Sequence, residues 1–363
     1  METHSEASSF DIAMMQRCLE LAQQALGQTA PNPLVGCVVV KAGQVIGEGF
    51  HPKAGEPHAE VFALRRAGSE AAGATLYVNL EPCSHYGRTP PCSEAVIAAG
   101  IRRVVVGMVD PNPQVAGKGI ARLREHGIEV VVGVEASACQ QLNEAFVFRI
   151  LHQRPFGILK YAMTLDGKIA ASSGHSAWVT GTAARSHVHT LRRACDAVIV
   201  GGNTVRQDNP LLTSRTSVTP LRVVLSRSLD LPTEAQLWDT SVAPTLVCTE
   251  PEANLPLQAQ LKAQGVEIQH FSPLTPAAVM AHLYTRGCLS VLWECGGTLA
   301  AAAIADGAVQ KVLAFIAPKI IGGVAASPIG ELGFAKMTQA LQLKRTHWEA
   351  IGDDLLLQGY LEE

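Results

Sequence analysis

At 363 residues the chain is longer than a single hydrophobic core usually supports, so two domains are expected. With 47% hydrophobic and 17% charged residues, 32 Gly and 20 Pro, it is too apolar for a disordered chain and too interrupted for a fibre. The 29 Lys and Arg against 32 Asp and Glu leave a net charge of −3, which offers no positive field to hold a nucleic-acid strand.

No apolar run reaches the roughly 18 residues of a membrane span. The start carries Glu2, Glu6 and Asp11 instead of the basic lead and apolar core of an export signal, so a cytoplasmic location is the expectation. The nine Cys are odd in number and scattered, which is no disulfide framework; most are expected as small buried hydrophobes. Only Cys83 and Cys92 stand in company that suggests chemistry.

Residues 10–26 place Ile12, Met15, Leu19, Ala22 and Leu26 at helical steps, ended by Gly27. Residues 34–40 and 45–49, on either side of Gly43, read as a hairpin. Then follow a helix over 58–67, a strand over 75–80, a helix over 93–99 and a strand over 103–109. A helix over 120–126, a strand over 129–134 and one helix over 138–152 complete this half, which runs out at Arg154-Pro155. The domain boundary is placed there, giving 1–153 and 154–363.

The second half restarts with a strand over 156–163. Further strands are predicted over 197–201, 221–225, 245–248, 290–293 and 312–316, with helices over 182–194, 276–286 and 298–306. Both halves are therefore expected to be α/β layers. Residues 230–256, rich in Pro, Thr and Glu, read as a loop-dominated surface insertion.

His58-Ala59-Glu60 opens a helix, Pro82-Cys83 follows a strand, and Cys92 opens the next helix. One imidazole and two thiolates can supply three tetrahedral ligands to zinc and leave a fourth position open, the pattern of a catalytic site. Glu60 would stand near that position without being a ligand and carry protons, as in zinc deaminases, where activated water attacks an amine-bearing ring carbon. A structural zinc site would instead close with a fourth ligand, for which His51 or His85 is near in sequence. The common zinc-deaminase signature has two residues between its cysteines, whereas here Ser84 to Pro91 separate them; closing such a loop costs little more.

The runs Pro31-Asn32-Pro33-Leu34-Val35-Gly36, Gly55-Glu56-Pro57-His58-Ala59-Glu60, Leu80 to Cys92 and Asp110 to Gly119 closely resemble the bifunctional riboflavin-biosynthesis deaminase/reductase family, to which the longer loop belongs. The resemblance implies a cytidine-deaminase-like three-layer α/β/α domain in which His58, Cys83 and Cys92 bind zinc and Glu60 is catalytic. It implies that Asn32 hydrogen-bonds the pyrimidine, and it brings His51, His85 and Arg88 to the site as ring or phosphate contacts or as a solvated rim.

Lys160 to Ala170, Ser176 to Thr180, Val200 to Val205, Asp208 to Thr213 and Ala317-Pro318-Lys319 extend the resemblance over nearly the whole chain. They imply a dihydrofolate-reductase-like α/β domain that uses NADPH. Glu294-Cys295-Gly296-Gly297 leads from a strand into an Ala-rich helix, where glycines and a helix N-terminus favour a phosphate, although this is not the Rossmann fingerprint. By matching position, Ala162, Trp178, Thr204, Asp208, Gly296, Gly297, Thr298, Leu299, Ala300, Ala301 and Ala302 would contact NADPH. Ser176, Arg192, Leu212, Arg215 and Glu294 would contact the sugar-phosphate substrate, with Lys160 or Asp208 delivering a proton. Cys295 stands where the family often has Gly, and Arg227 where a small polar residue meets the cofactor; both bear on cofactor affinity.

The implied activity is hydrolytic deamination of a diamino-pyrimidinone ribosylamino phosphate, followed by reduction of its ribosyl to a ribityl chain. The alternative is a deaminase with an impaired reductase domain. A nucleic-acid deaminase would share the zinc residues, but 5% aromatics and the negative charge supply no strand-binding surface. The expected partners are a small-molecule substrate, no nucleic acid, no membrane and a second copy of the chain, paired through the reductase domain.

Overall fold

The computed structural model describes residues 8–84, 91–113, 115–324 and 326–361. The chain divides into two compact units, Met1–Gln153 and Arg154–Glu363.

The first unit runs α1 (Ser9–Gln23), β1 (Gly36–Lys41), β2 (Gln44–Phe50), α2 (Ala59–Ala67), β3 (Thr75–Leu80), α3 (Cys92–Ala98), β4 (Arg103–Met108), α4 (Lys118–Glu125), β5 (Glu129–Val132), α5 (Ala136–Leu142) and α6 (Glu144–His152). Among the described residues the sheet order is β2-β1-β3-β4-β5, antiparallel from β2 to β3 and parallel from β3 to β5. The interior strands β1, β3 and β4 are buried on both faces, which is why they read as nearly unbroken apolar runs. On one face Cys37, Val39, Leu76, Val78, Val104 and Val106 pack with Ala59 and Ala63 of α2, Val96 of α3 and Leu123 of α4. On the other, α1 lies against β1 and β3.

α1 starts at a reciprocal cap in which the Ser8 hydroxyl accepts the Asp11 N–H and the Asp11 carboxylate accepts the Ser8 N–H. Asp11 is buried and also receives the Tyr77 hydroxyl at 2.8 Å and two Arg103 guanidinium nitrogens at 2.8 and 3.1 Å. Led by Arg103, these bonds outweigh burial and hold its carboxyl well below the ordinary range. A carboxyl depressed in the folded state contributes stability above its unfolded pKa of about 4, and that contribution is lost as pH falls towards the folded value. Asp11→Asn is therefore expected to cost about 3–5 kcal/mol at neutral pH. Denaturant unfolding should show the gap from the parent narrowing once the pH drops below about 4.

Residues 138–152 do not form the single helix that their pattern predicts. The break falls at Asn143, with φ −105° and ψ 20°, whose side chain is spent on the backbone of Leu34.

The second unit runs β6 (Phe156–Thr164), α7 (Thr182–Ala194), β7 (Ala197–Gly201), α8 (Gly202–Asp208), β8 (Leu221–Leu225), β9 (Thr245–Thr249), α9 (Leu255–Ala263), β10 (Glu267–His270), α10 (Pro276–Thr285), β11 (Ser290–Trp293), α11 (Gly297–Ala305), β12 (Lys311–Ala317), β13 (Lys344–Ile351) and β14 (Asp354–Tyr360). Among the described residues the sheet order is β10-β9-β8-β7-β11-β6-β12-β14-β13. It is parallel from β10 to β12 and closes with antiparallel β14 and β13. The chain moves outward from β7 to β10 and then returns to insert β11 between β7 and β6. In open α/β sheets a ligand crevice forms beyond the strands' carboxyl ends where such a reversal occurs. Here those ends lead into Glu294–Gly297, Gly201–Gly202 and the turn after Thr164.

Residues 230–256 are not a surface insertion. Leu237 and Trp238 are buried in the core, and β9 is an interior strand. The reason is Arg222 on β8, which is wholly buried and donates to the carbonyls of Leu211, Gln236, Leu237, Asp239 and Ala243 at 2.7–3.5 Å.

Candidate active sites

In the first unit, His58 is the N-cap residue of α2 but makes no side-chain cap bond, so its imidazole is left for other work. Its Nδ1 lies 3.2 Å from Cys92 Sγ and 3.6 Å from Cys83 Sγ, and the three ligand atoms all fall within 4.8 Å of one another. Cys83 follows β3 and Cys92 is the first residue of α3, whose N–H donates to Cys83 Sγ at 3.3 Å. A helix start leaves such N–H groups without internal partners, and here one is aimed at a sulfur. The Cys92 thiol, then His58 and this N–H, pull the Cys83 thiol well below its ordinary pKa against the effect of burial. Hydrogen bonding to Cys83 raises His58 in turn.

Glu60 sits in the first turn of α2, is 3% exposed, and its Oε2 has no hydrogen-bond partner. Burial, then the neighbouring Cys83 sulfur, pushes its carboxyl up to about 7. One imidazole, two sulfurs and an orphaned carboxylate oxygen that is not needed as a ligand fit a catalytic zinc.

His51 is not a fourth ligand among the described residues. Its Nδ1 lies 3.1 Å from the Pro57 carbonyl, which can only accept, so Nδ1 donates and Nε2 accepts from Asn32 Nδ2 at 3.0 Å. The His51 ring stands edge-on to His58 at 5.5 Å between centroids, which brings Asn32 to the rim of the cluster. His85 and Arg88 lie outside the described residues.

Glu81, two residues before Cys83, carries no role in the sequence reading. Its buried carboxylate accepts the N–H groups of Asp110, Gly117, Gly119 and Ile120 and so ties the start of α4 to the strand end that bears Cys83. An isolated Glu before Pro-Cys gives no signal of this, because its partners are backbone groups 29 to 39 residues away.

In the second unit the Arg192 guanidinium forks onto Glu294, with Nε to Oε1 at 2.6 Å and Nη2 to Oε2 at 2.9 Å. The fork that the sequence reading reserves for a phosphate is closed on a carboxylate, and Nη1 adds a bond to the Thr213 carbonyl. Burial alone would raise Glu294; Arg192, followed by Lys160, holds its carboxyl below the ordinary value. Burial lowers the Lys160 amine, opposed by Glu294 and reinforced by Arg192. These three residues therefore form one charge group, Arg192 on α7, Lys160 on β6 and Glu294 just beyond the end of β11.

Ser176 and Asp208 are brought together, hydroxyl to carboxylate at 3.1 Å. Leu212 is buried and Arg215 exposed, both at positive φ, on the loop that also gives Thr213 to Arg192. Trp178 is 69% exposed, with the Arg185 guanidinium 4.6 Å from its ring centre and Lys319 Nζ on its carbonyl at 2.8 Å. Arg185 was not singled out from sequence, and Lys319 only as part of a motif.

Ala162 is half-buried on β6 opposite Phe315, and Thr204 half-buried on α8. Gly296 caps α11 without a side-chain bond and has open space where a Cβ would stand, while a Cβ on Gly297 would come within 2.7 Å of the Ser327 carbonyl. Thr298 is exposed and Leu299 half-buried. Ala300 and Ala301 are buried and Ala302 half-buried, so beyond Leu299 the side chains of this helix face mainly into the protein. An uncapped helix start behind small residues fits the phosphates of a dinucleotide. Cys295 is half-buried, and burial pushes its thiol up to about 12. Arg227 is exposed beyond the end of β8.

Residues 8–108 match the cytidine and deoxycytidylate deaminase zinc-binding region, and residues 155–357 match the RibD C-terminal domain. The chain is 66% identical over 354 residues to the riboflavin biosynthesis protein RibD of Synechocystis sp., covering 97% of this chain and 96% of that protein. It is 40% identical to RibD of Escherichia coli, over 94% of this chain and 97% of the relative. Among solved structures, Acinetobacter baumannii RibD superimposes with a TM-score of 0.87 at 40% identity, covering 98% of this chain and 99% of that one. The Thermotoga maritima diaminohydroxyphosphoribosylaminopyrimidine deaminase/5-amino-6-(5-phosphoribosylamino)uracil reductase does so with a TM-score of 0.87 at 37% identity, covering 97% and 99%. With both family models matched and full-length similarity in sequence and structure, the chain belongs to the RibD family of riboflavin-biosynthesis enzymes, with a zinc-binding deaminase domain and an NADPH-using reductase domain.

Proposed function

We propose that residues 1–153 hydrolytically deaminate a diamino-pyrimidinone ribosylamino phosphate and that residues 154–363 reduce the ribosyl group of the resulting aminouracil to ribityl. The observation that carries the reading is the His58, Cys83 and Cys92 cluster with the unpartnered Glu60 Oε2 buried nearby. His58, Cys83 and Cys92 would hold the zinc, which when bound would supply the Lewis-acid charge for activating water at neutral pH. Glu60 takes a proton from the attacking water and returns it to the departing amine, a role suited to a carboxyl raised by burial. Asn32, oriented by His51, hydrogen-bonds the pyrimidine edge with the groups that His51 leaves free.

NADPH supplies the hydride that side chains cannot. The cap and N-terminal half of α11, residues 296–302, would hold its phosphates, with Ala162, Trp178, Thr204 and Asp208 as further contacts. Arg215 takes the substrate phosphate, since the Arg192 fork is occupied, while Ser176, Leu212, Arg192 and Glu294 shape the sugar site. Lys160 delivers the proton that accompanies reduction, through an amine whose pKa burial lowers.

The reading also includes a cytoplasmic homodimer formed through the reductase unit. Two features support the pairing: the outer edge of β13 has no strand partner among the described residues, and Ile320, Val324, Met337 and Trp348 are exposed. No helix among the described residues is long and apolar enough to cross a membrane.

The test is a two-step assay with the diamino substrate, following ammonia release and then NADPH oxidation. Both signals are expected. Chelating the zinc should abolish ammonia release and leave NADPH oxidation intact when the deaminated intermediate is supplied. Ammonia without NADPH oxidation would reduce the function to the deaminase alone.

A further inference from the structure

The segment that carries Asn32 has an unusual mooring. Before β1 begins, the peptide groups around Leu34 are held by two side-chain amides. The Leu34 N–H donates to Asn143 Oδ1 at 2.8 Å, and the Leu34 carbonyl accepts from Asn143 Nδ2 at 3.0 Å and from Asn79 Nδ2 at 2.9 Å. Asn79 Oδ1 then accepts the Gly36 N–H at 2.8 Å. Asn79 is fully buried and Asn143 is 3% exposed, so each amide is committed to this one stretch of backbone. Gly36 leaves no slack, because a Cβ there would overlap the Cys18 carbonyl. Asn143 breaks what would otherwise be a continuous helix, a local cost that its bonds to Leu34 offset.

Only Pro33 separates Leu34 from Asn32, and Pro31 lies on the other side. Proline fixes φ at position 33, and the Asn32 N–H donates to the Thr29 carbonyl at 2.8 Å, so few torsions are free along the short lever between the held Leu34 peptide and Asn32. The far end of that lever meets His51 Nε2 beside the zinc ligand His58.

We propose that Asn143, acting with Asn79, is a positioning residue for the deaminase: by gripping the Leu34 peptide it sets the direction in which Asn32 meets the pyrimidine. This rests on the reading that Asn32 binds the pyrimidine. Neither amide touches the substrate, and neither takes part in the reaction.

The test is a double-mutant cycle on the full chain with Asn32→Ala, Asn143→Asp and the double variant, reading KM and kcat for ammonia release. Bound zinc and NADPH oxidation with the deaminated intermediate report on folding. Asn143→Asp keeps the shape and the acceptor for the Leu34 N–H but sets an oxygen against the Leu34 carbonyl. The expected result is a KM raised about tenfold with little change in kcat, and no further rise when the same change is made on the Asn32→Ala background. Effects that multiply would show a general structural role and overturn the proposal, as would an unchanged KM in Asn143→Asp while Asn32→Ala raises it. An unchanged KM in Asn32→Ala itself would refute the reading of Asn32 and the positioning role with it. If Asn143→Asp gives no soluble chain, Asn79→Ser enters the same cycle under the same criteria.

Discussion

Replacing Glu60 with Gln lowers the rate of ammonia release about 100- to 10,000-fold, the range that a positioned general acid–base group contributes. Zinc stays bound, because the ligand set His58, Cys83 and Cys92 is untouched and Glu60 Oε2 makes no bond in the folded chain. Metal analysis beside a steady-state ammonia assay checks both halves of this expectation. A structural zinc site has no use for a buried carboxylate with one oxygen left unpartnered, so retained turnover in Glu60→Gln would remove the catalytic reading. NADPH oxidation with the deaminated intermediate is unchanged in this variant and serves as the internal control.

The second large effect is expected at Glu294. Changing it to Gln leaves the half-buried Arg192 and Lys160 without their anion, and breaking a largely desolvated pair from one side costs up to about 3–5 kcal/mol. NADPH oxidation should collapse, and thermal melting should report an early transition, while ammonia release is kept. Replacing both Arg192 and Glu294 with Met separates the two consequences. An apolar pair of similar volume restores stability but not reduction. Recovery of both would reduce the ion pair to packing, and wild-type reduction in Glu294→Gln would exclude it from the site.

The deaminase site was legible because its chemistry is local. His58 and Glu60 are two residues apart, Cys83 follows a strand and Cys92 opens a helix, so spacing and element boundaries place all four together. The central strands were legible for a related reason, since burial on both faces demands unbroken apolar runs such as 197–201 and 290–293. The reductase site was read only through family motifs, and its central interaction escaped even that reading. Arg192 and Glu294 are 102 positions apart, and nothing in either neighbourhood says that they pair. The single helix expected over 138–152 failed at Asn143 because tertiary hydrogen bonds to Leu34 override the helical pattern. Glu81 escaped because its partners are main-chain amides, which every sequence offers alike.

Arg222 bears on how this chain can vary. It fastens residues 236–243 by their carbonyl oxygens, and a carbonyl is the same acceptor whichever side chain its residue bears. Substitutions along that stretch therefore leave the fastening intact so long as Leu237 and Trp238 still fill the core. A segment held in this way is free to drift towards the Pro, Thr and Glu of an apparent surface loop while remaining an interior part of the sheet, and much of the constraint falls on one arginine, with Thr245 adding a bond to the Leu237 carbonyl.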